Sequence, residues 1–164
     1  MRHRALSRLQ VETDLRKAID NREFELYYQP IISLPTGRIA GFESLARWHH
    51  PLRGLLSPAE FIPIAEDTGM IVDLGRLTLA ESCRQMAVWL AQFGPAAPRF
   101  MCANLSSKEF ADIDLMKGVG NILQIAGLGS SYLKLEITES AFIHDVPAAQ
   151  ITLKRAQADR KSVV

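Results

Sequence analysis

Apolar residues recur along the chain with two different periods, and the period changes where one predicted element gives way to the next. In residues 1–22 they are separated by charged and polar residues, as on one side of a helix. These apolar residues are Leu6, Leu9, Leu15 and Ile19. Residues 24–33 and 39–48 are rich in aromatic and β-branched side chains, and residues 34–37 between them are typical of a turn. The pattern predicts an entry helix or linker over 1–22, followed by a folded domain over 23–164 that opens with an antiparallel hairpin.

The rest of the chain alternates helices with short apolar strands. Ser57 and Glu60 have the spacing of a capping box, with Pro58 at the first helical position, so a helix begins here and is expected to stop at Gly69. The later predicted elements are a long helix with Leu79, Cys83, Met86 and Leu90 on one face, a strand over 99–106, a helix with Leu115, Val119, Ile122 and Ala126 on one face, a strand over 132–140, and a weaker helical pattern from Pro147. This order predicts an α/β fold whose first strand pair is antiparallel and whose later strands are parallel.

The composition is that of a single globular domain. Of 164 residues, 48% are hydrophobic and 23% are charged, which argues against disorder and against a disulfide scaffold. The net charge of +1 gives no electrostatic indication of a nucleic-acid or membrane partner. The sequence has no apolar run of the roughly 18 residues that span a bilayer and no signal-peptide pattern, so we expect a cytoplasmic protein. Cys83 and Cys102 lack the spacing of a metal site and are expected to be buried free thiols.

Oxygen-bearing side chains lie at or near the C-terminal ends of three predicted strands, which are the second strand of the hairpin and the two later strands. They are Glu43, Asn104 and Glu136, with Glu139 three residues further on. In α/β barrels, polar residues at these strand ends converge on one face, where the functional groups lie. Carboxylate and amide oxygens suit hard divalent cations such as Mg²⁺ and Mn²⁺. Together these residues predict a cation site, although each taken alone is also an ordinary polar residue of a strand or turn.

Several other positions have both a functional and a structural interpretation. Arg47 could present its guanidinium to a phosphate or form a surface ion pair. His49 and His50 could bind a metal, but adjacent histidines in a loop are expected to be solvated surface. Ser106 opens a second capping-box pattern and is expected to cap a helix. The sequence contains no glycine-rich phosphate-binding motif, which disfavours hydrolysis of a nucleoside triphosphate.

Five short motifs, taken in order, resemble the EAL family of cyclic di-GMP phosphodiesterases. The resemblance runs from about residue 12 to residue 158. The motifs are Tyr28-Gln29-Pro30-Ile31, Gly41-Phe42-Glu43-Ser44-Leu45-Ala46-Arg47-Trp48, Ser57-Pro58-Ala59-Glu60-Phe61-Ile62-Pro63, Asn104-Leu105-Ser106 and Leu135-Glu136-Ile137-Thr138-Glu139-Ser140. Ser44 stands where the name-giving motif has Ala, whereas the Glu before it and the Leu after it are kept.

The resemblance implies a TIM-like (β/α) barrel with an antiparallel first strand, which binds cyclic di-GMP at the C-terminal ends of its strands. The implied ligands of Mg²⁺ or Mn²⁺ are Glu43, Asn104 and Glu136, the implied dinucleotide contacts are Gln29 and Arg47, and the implied support of the active-site loop is Glu139. The implied reaction is two-metal hydrolysis to linear pGpG in bacterial second-messenger signalling.

The second half of the family pattern does not appear in the sequence. The family's Asp-Asp pair, Lys and Glu base have no counterparts, because there is no Asp-Asp dipeptide and the only side-chain carboxylates after Ser140 are Asp145 and Asp159. A complete eight-stranded barrel takes about 250 residues. We therefore expect a partial TIM-like barrel that lacks its C-terminal portion. No catalytic residue can be named in it, and hydrolysis by this chain alone is expected to be impaired.

Two alternatives to an impaired phosphodiesterase remain open. One is a degenerate nucleotide-binding or protein-interaction module without hydrolysis, and the other is a remnant chain that does not fold stably. The open strand edge of a partial barrel favours a homodimer or association with other domains. The first residues of the chain resemble the linker helix between the GGDEF and EAL domains of tandem proteins, so those domains are also candidate partners.

Overall fold

The computed structural model describes residues 2–112, 114–137 and 162–163, and the side chains of residues 8–112 and 114–137. The elements in chain order are α1 (Arg2–Asn21), β1 (Phe24–Ser33), β2 (Arg38–His50), β3 (Gly54–Leu56), α2 (Pro58–Thr68), α3 (Ile71–Phe93), β4 (Phe100–Leu105), α4 (Ser107–Phe110), α5 (Leu115–Ala126), β5 (Leu133–Ile137) and β6 (Ser162–Val163). The predicted hairpin, helices and strands up to residue 137 are present. Residues 138–140 of the last predicted strand and the helical pattern from Pro147 lie outside the described residues.

One mixed sheet organises the described part of the chain. Its strands lie in the order β1-β2-β4-β5-β6, and the short β3 pairs with β2. The β1–β2 and β2–β3 pairs are antiparallel, whereas β2–β4, β4–β5 and β5–β6 are parallel. This confirms the predicted α/β fold with an antiparallel first pair. Within the described residues the sheet stays open, as expected for a partial TIM-like barrel.

The hydrophobic core lies between the helices and one face of this sheet. Around β2, Trp48 and Phe61 pack edge to face with ring centroids 6.0 Å apart, among residues of α1, α2 and α3. Around β4 and β5, Met101 and Leu135 pack against α3 and α5. The parallel register sets Ser44 beside Ala103, so these helix-facing side chains share one face. Since side chains alternate along a strand, the neighbouring positions point to the opposite face.

Helix α1 is part of this core, and its buried face differs from the predicted one. Val11, Leu15 and Ala18 are buried against α2 and its neighbours, at the i, i+4, i+7 spacing of a helix face. Leu15 therefore has the expected role, whereas Leu9 is 63% exposed and was wrongly assigned to the apolar face. The entry helix is thus packed onto the domain rather than standing apart from it.

The strand β2 is longer than the sequence predicts and takes in both histidines. It runs to His50, so the expectation of two solvated loop histidines is wrong for His50, which is buried, and right for the exposed His49. The Leu52 N–H donates to His50 Nδ1 at 3.1 Å, which leaves the ring proton on Nε2 facing Asp14 Oδ2 at 3.2 Å. A bond to α1 therefore accounts for the burial of His50.

Candidate functional site

Glu43, Asn104 and Glu136 lie on the sheet face opposite the helices. Glu43 is on β2, Asn104 is the penultimate residue of β4 and Glu136 is the penultimate residue of β5. In the parallel register Asn104 is directly opposite Glu136, and Glu43 is directly opposite Cys102, one pleat from Asn104 along β4. Residues opposite one another on neighbouring strands point to the same side of the sheet. The predicted gathering of oxygen-bearing side chains is therefore present in the fold.

A hydrogen bond joins the carboxamide to the first carboxylate of this group. The Asn104 Nδ2 donates to Glu43 Oε1 at 2.8 Å, between residues that are 61 positions apart in the chain. Glu43 and Glu136 are half-buried, and Asn104 is exposed. Two carboxylates and an amide thus share one water-accessible edge, formed by the ends of β4 and β5 and the middle of β2.

Cys102 and Lys134 occupy the same face, one pleat below Asn104 and Glu136. Burial is the main cause that raises the pKa of the Cys102 thiol to about 12, and a hydrogen bond to Glu136 adds to it. The thiol is therefore neutral at physiological pH. The Lys134 Nζ lies 3.5 Å from the centroid of the Phe100 ring, within the range of a cation–π contact.

Lys134 is a charged residue of this face that the sequence interpretation did not select. It precedes Glu136 by two residues in a strand, so period-2 alternation alone puts both side chains on one side. That signal was available in the sequence. The Lys134 ammonium packs on the ring of Phe100, the first residue of β4, at the opposite end of that strand from Asn104.

Gln29 and Arg47 flank Glu43 along the hairpin. Gln29 is exposed and is directly opposite Glu43 in the β1–β2 register. Arg47 lies four residues beyond Glu43, about 13 Å along the strand, and its Cζ is 5.2 Å from the centroid of the Tyr27 ring. Its Nη1 donates to the Ala46 carbonyl at 2.9 Å. The structure thus places both residues on the same hairpin as Glu43, with Gln29 beside it and Arg47 further along the strand.

The predicted alternative for Arg47, a surface ion pair, is not seen among the described residues. The residue opposite Arg47 on β1 is Glu25, whose carboxylate pairs with His49 instead. The guanidinium therefore keeps donors for another acceptor. Glu139, the expected loop support, lies outside the described residues.

Ser44, the departure from the name-giving motif, faces the helices and not the site. Its hydroxyl donates to the Cys102 carbonyl at 3.0 Å, and the Ser82 hydroxyl on α3 donates to Ser44 Oγ at 2.9 Å. Both serines are buried. The substitution therefore ties β2 to β4 and α3 directly behind Glu43.

A cavity of about 280 Å³ adjoins Asn104 on the helix side of the strand ends. Its wall is mostly apolar, with a few polar groups near the strand ends. Lining residues include Leu45, Pro58, Ile62, Thr78, Asn104 and Glu109. A concave apolar space with a few polar groups is the usual form of a small-molecule site.

The donor set at this edge fits a hard divalent cation. Glu43 and Glu136 offer carboxylate oxygens, and Asn104 offers an amide oxygen once its side chain turns the N–H away from Glu43. Among the described residues no cluster of three or more His, Cys, Asp or Glu side chains could hold a metal ion. Within the described part of the chain, the oxygen donors at this edge are therefore the Asn104 amide and the two carboxylates.

A family model settles the relationship that the motifs suggested. The model of the EAL domain matches residues 12–159. The chain belongs to the EAL domain family. Relatives of this EAL domain include the bifunctional diguanylate cyclase/cyclic di-GMP phosphodiesterase MucR of Pseudomonas aeruginosa, 41% identical over 96% of this chain. Cyclic di-GMP phosphodiesterase PA2567 of the same organism is 38% identical over 88% of the chain.

Solved structures of EAL domains have the same fold. The structure of the MucR phosphodiesterase from Pseudomonas aeruginosa in complex with c-di-GMP superposes with a TM-score of 0.87 at 39% identity, over 94% of this chain. The EAL enzyme Bd1971 with cAMP and cyclic di-GMP bound gives a TM-score of 0.86 at 28% identity, over 97% of this chain. The open sheet described above is thus part of an EAL-type barrel.

The EAL domain described here is much shorter than these relatives. The chain spans 23% of the length of MucR, 24% of PA2567 and 62% of the MucR phosphodiesterase structure.

None of the helices in the described ranges has the length and apolar character needed to cross a membrane.

Proposed function

We propose that the edge formed by Glu43, Asn104 and Glu136 is the cation-binding part of a site for cyclic di-GMP. The reaction it serves is hydrolysis of one phosphodiester bond, which gives linear pGpG. The observation that carries the proposal is the 2.8 Å contact between Asn104 and Glu43, together with the register that sets Asn104 opposite Glu136. The names of the similar EAL proteins supply the substrate, since MucR and PA2567 are both called cyclic di-GMP phosphodiesterases.

Mg²⁺ or Mn²⁺ is the proposed cofactor, held by Glu43, Asn104 and Glu136. Such a cation supplies Lewis-acid chemistry, because it polarises the phosphoryl group and makes water a stronger nucleophile. The role of the residues of this chain is to hold the cation and to orient it. Glu43 and Glu136 contribute negative charge, and Asn104 turns from donor to acceptor when its amide oxygen faces the cation.

The proposed dinucleotide contacts are Arg47 and Gln29. The guanidinium of Arg47 has a planar fork of donors that suits a phosphate, and its packing on Tyr27 limits the positions it can take. Gln29 can donate and accept hydrogen bonds beside Glu43. Glu139 stays a predicted support of the active-site loop that follows the next strand after β5.

We further propose that these 164 residues alone hydrolyse cyclic di-GMP poorly or not at all. Two-metal hydrolysis needs ligands for both cations, and the edge formed by Glu43, Asn104 and Glu136 offers three oxygen-bearing side chains. The Asp-Asp pair that the family resemblance implies does not occur in the sequence. A second copy of the chain, or another part of a GGDEF-EAL protein, would have to supply the rest.

Incubation of the purified chain with cyclic di-GMP and Mn²⁺ or Mg²⁺, with chromatography for pGpG and calorimetry for binding, tests both proposals. We expect saturable binding of cyclic di-GMP that is tighter in the presence of the metal and weaker in Glu43→Ala. We expect no pGpG to form. A surface carboxylate on α3 is the matched control, so Glu81→Ala is expected to bind like the wild type.

The other outcomes separate the alternatives. Formation of pGpG that Glu43→Ala abolishes would support the phosphodiesterase site and contradict the proposed impairment. Saturable binding that does not depend on metal or on Glu43 would favour a degenerate nucleotide-binding module. Absence of both binding and product would contradict the proposed site.

A further inference from the structure

The loop that follows Asn104 is closed by a capping box whose carboxylate is buried. Ser106 is the N-cap of α4, with extended backbone at φ −76° and ψ 163°. Glu109 Oε2 accepts a hydrogen bond from the Ser106 N–H at 2.9 Å and another from the Ser106 hydroxyl at 2.7 Å. The Glu109 carboxylate therefore holds the backbone two residues after Asn104.

The same carboxylate packs against helix α3. A Cβ added to Gly75 would overlap Oε1 of Glu109, so the carboxyl group lies directly on the Gly75 backbone. Glu109 is only 6% exposed. Because α3 is a helix of 23 residues, its backbone is a firm support for the turn at the end of β4.

The chain contains another capping box, and because this one is exposed, it shows which contacts capping alone requires. The Ser57 N–H donates to Glu60 Oε2 at 2.9 Å, the same distance as in the Ser106 box, yet Glu60 is exposed. Burial raises the pKa of Glu109, because it disfavours the charged form, so the buried position opposes stability. Capping does not account for that burial, whereas anchoring the turn to α3 does.

We propose that Glu109 is a positioning residue that fixes the end of β4 and so places the Asn104 amide beside Glu43. The role of Asn104 as a cation ligand rests on the function proposed above, but its placement by Glu109 does not. The path is short, since Gly75 supports Glu109, Glu109 binds Ser106, and Ser106 is two residues from Asn104.

The placement is tested without metal by the side-chain amide signals of Asn104 in ¹H–¹⁵N correlation spectra of the full chain. Asn104→Ala identifies these signals by their loss. We expect Glu109→Ala to shift them toward the positions of solvated asparagine amides, and Glu60→Ala to leave them unchanged although it removes the other capping box. Glu109→Gln keeps an acceptor oxygen for Ser106 and is expected to preserve the signals.

Gly75→Ala keeps Glu109 but fills the space on α3 that the Glu109 carboxylate occupies. It is therefore expected to shift the Asn104 signals as Glu109→Ala does. If Glu109→Ala fails to fold, this variant decides by the same criterion. Unchanged Asn104 signals in folded Glu109→Ala or in Gly75→Ala would overturn the proposal. A shift in Glu109→Gln as large as in Glu109→Ala would overturn it too, because charge and not position would then be the cause.

Titration with Mn²⁺, followed by the electron paramagnetic resonance of the free ion, connects the placement to cation binding. We expect Glu109→Ala and Gly75→Ala to raise the Kd about ten-fold, as is usual when a residue that orients a metal ligand is lost. Glu60→Ala and Glu109→Gln should stay within about two-fold of the wild type. A wild-type chain that binds no Mn²⁺ would contradict the function proposed above, while the Asn104 signals would still decide the role of Glu109.

Discussion

Ser44 connects the site strand to its neighbours through a single hydroxyl. It donates to the Cys102 carbonyl and accepts from Ser82, all within the buried core. A buried hydrogen bond of this kind contributes about 0.5–1.5 kcal/mol to the free energy of unfolding. We expect Ser44→Ala and Ser82→Ala each to lower that free energy by such an amount in urea denaturation.

The pair is expected to behave as one coupled unit. Because the two serines share a bond, the double variant should lose less free energy of unfolding than the sum of the single losses. Additive losses would show that Ser44 and Ser82 act independently. Thr78→Ala is the control for loss of a side-chain hydroxyl at α3, because it keeps the Thr78 carbonyl that accepts from Ser82.

Asp14 gives the stability of the protein a dependence on acid pH. A hydrogen bond from Gln10 is the main cause that lowers the pKa of Asp14 below its ordinary value of 3.8, and the contact with His50 adds to it. A lowered pKa in the folded state stabilises above pH 3.8, and this contribution is lost as the pH falls through the folded pKa.

We therefore expect Asp14→Asn to lower the Tm at pH 6, with a difference from the wild type that narrows steadily below pH 4. Thermal unfolding followed by circular dichroism at pH 6, 4 and 3 measures this difference. Asp20→Asn, on the same helix, is the control. A Tm difference that is constant over this range would contradict the role of the Asp14 carboxylate.

Helix α1 supplies a test of whether it belongs to the folded unit. Leu15 is fully buried between α1 and the core, whereas Leu9 on the same helix is 63% exposed. We expect Leu15→Ala to lower the free energy of unfolding by about 2–5 kcal/mol, because it removes buried methyl groups and leaves a cavity. Leu9→Ala should change it by less than about 0.5 kcal/mol. Equal effects in urea denaturation would mean that α1 does not pack as described.

The elements of this fold were largely predictable because local chemistry marks their ends. The Ser57 capping box and Gly69, which has a φ of 79°, bound α2 as predicted. The buried side of α1 was not predicted, because helical spacing offers several faces and only packing against α2 selects one. The extension of β2 to His50 was missed for a related reason, since its partners Asp14 and β3 are supplied by other segments.

At the scale of the whole molecule, the site depends on the register between neighbouring strands, and this register cannot be read from the sequence alone. Strand ends and residue types sufficed to select Glu43, Asn104 and Glu136. They could not show that Asn104 donates to Glu43 or that Glu109 supports the turn, because each contact joins elements that are far apart in the sequence.

Cation binding should also stabilise the whole fold, since the proposed ligands come from β2, β4 and β5. A ligand that binds only the folded state raises the free energy of unfolding by about 2.7 kcal/mol at roughly 100 times its Kd. We expect Mn²⁺ to raise the Tm of the metal-free chain, excess EDTA to reverse the rise, and Asn104→Ala to abolish it. Glu81→Ala, on the outer surface of α3, should respond like the wild type. A rise that persists in Asn104→Ala would mean that Mn²⁺ binds elsewhere, because the oxygen ligands of this edge are joined through that amide.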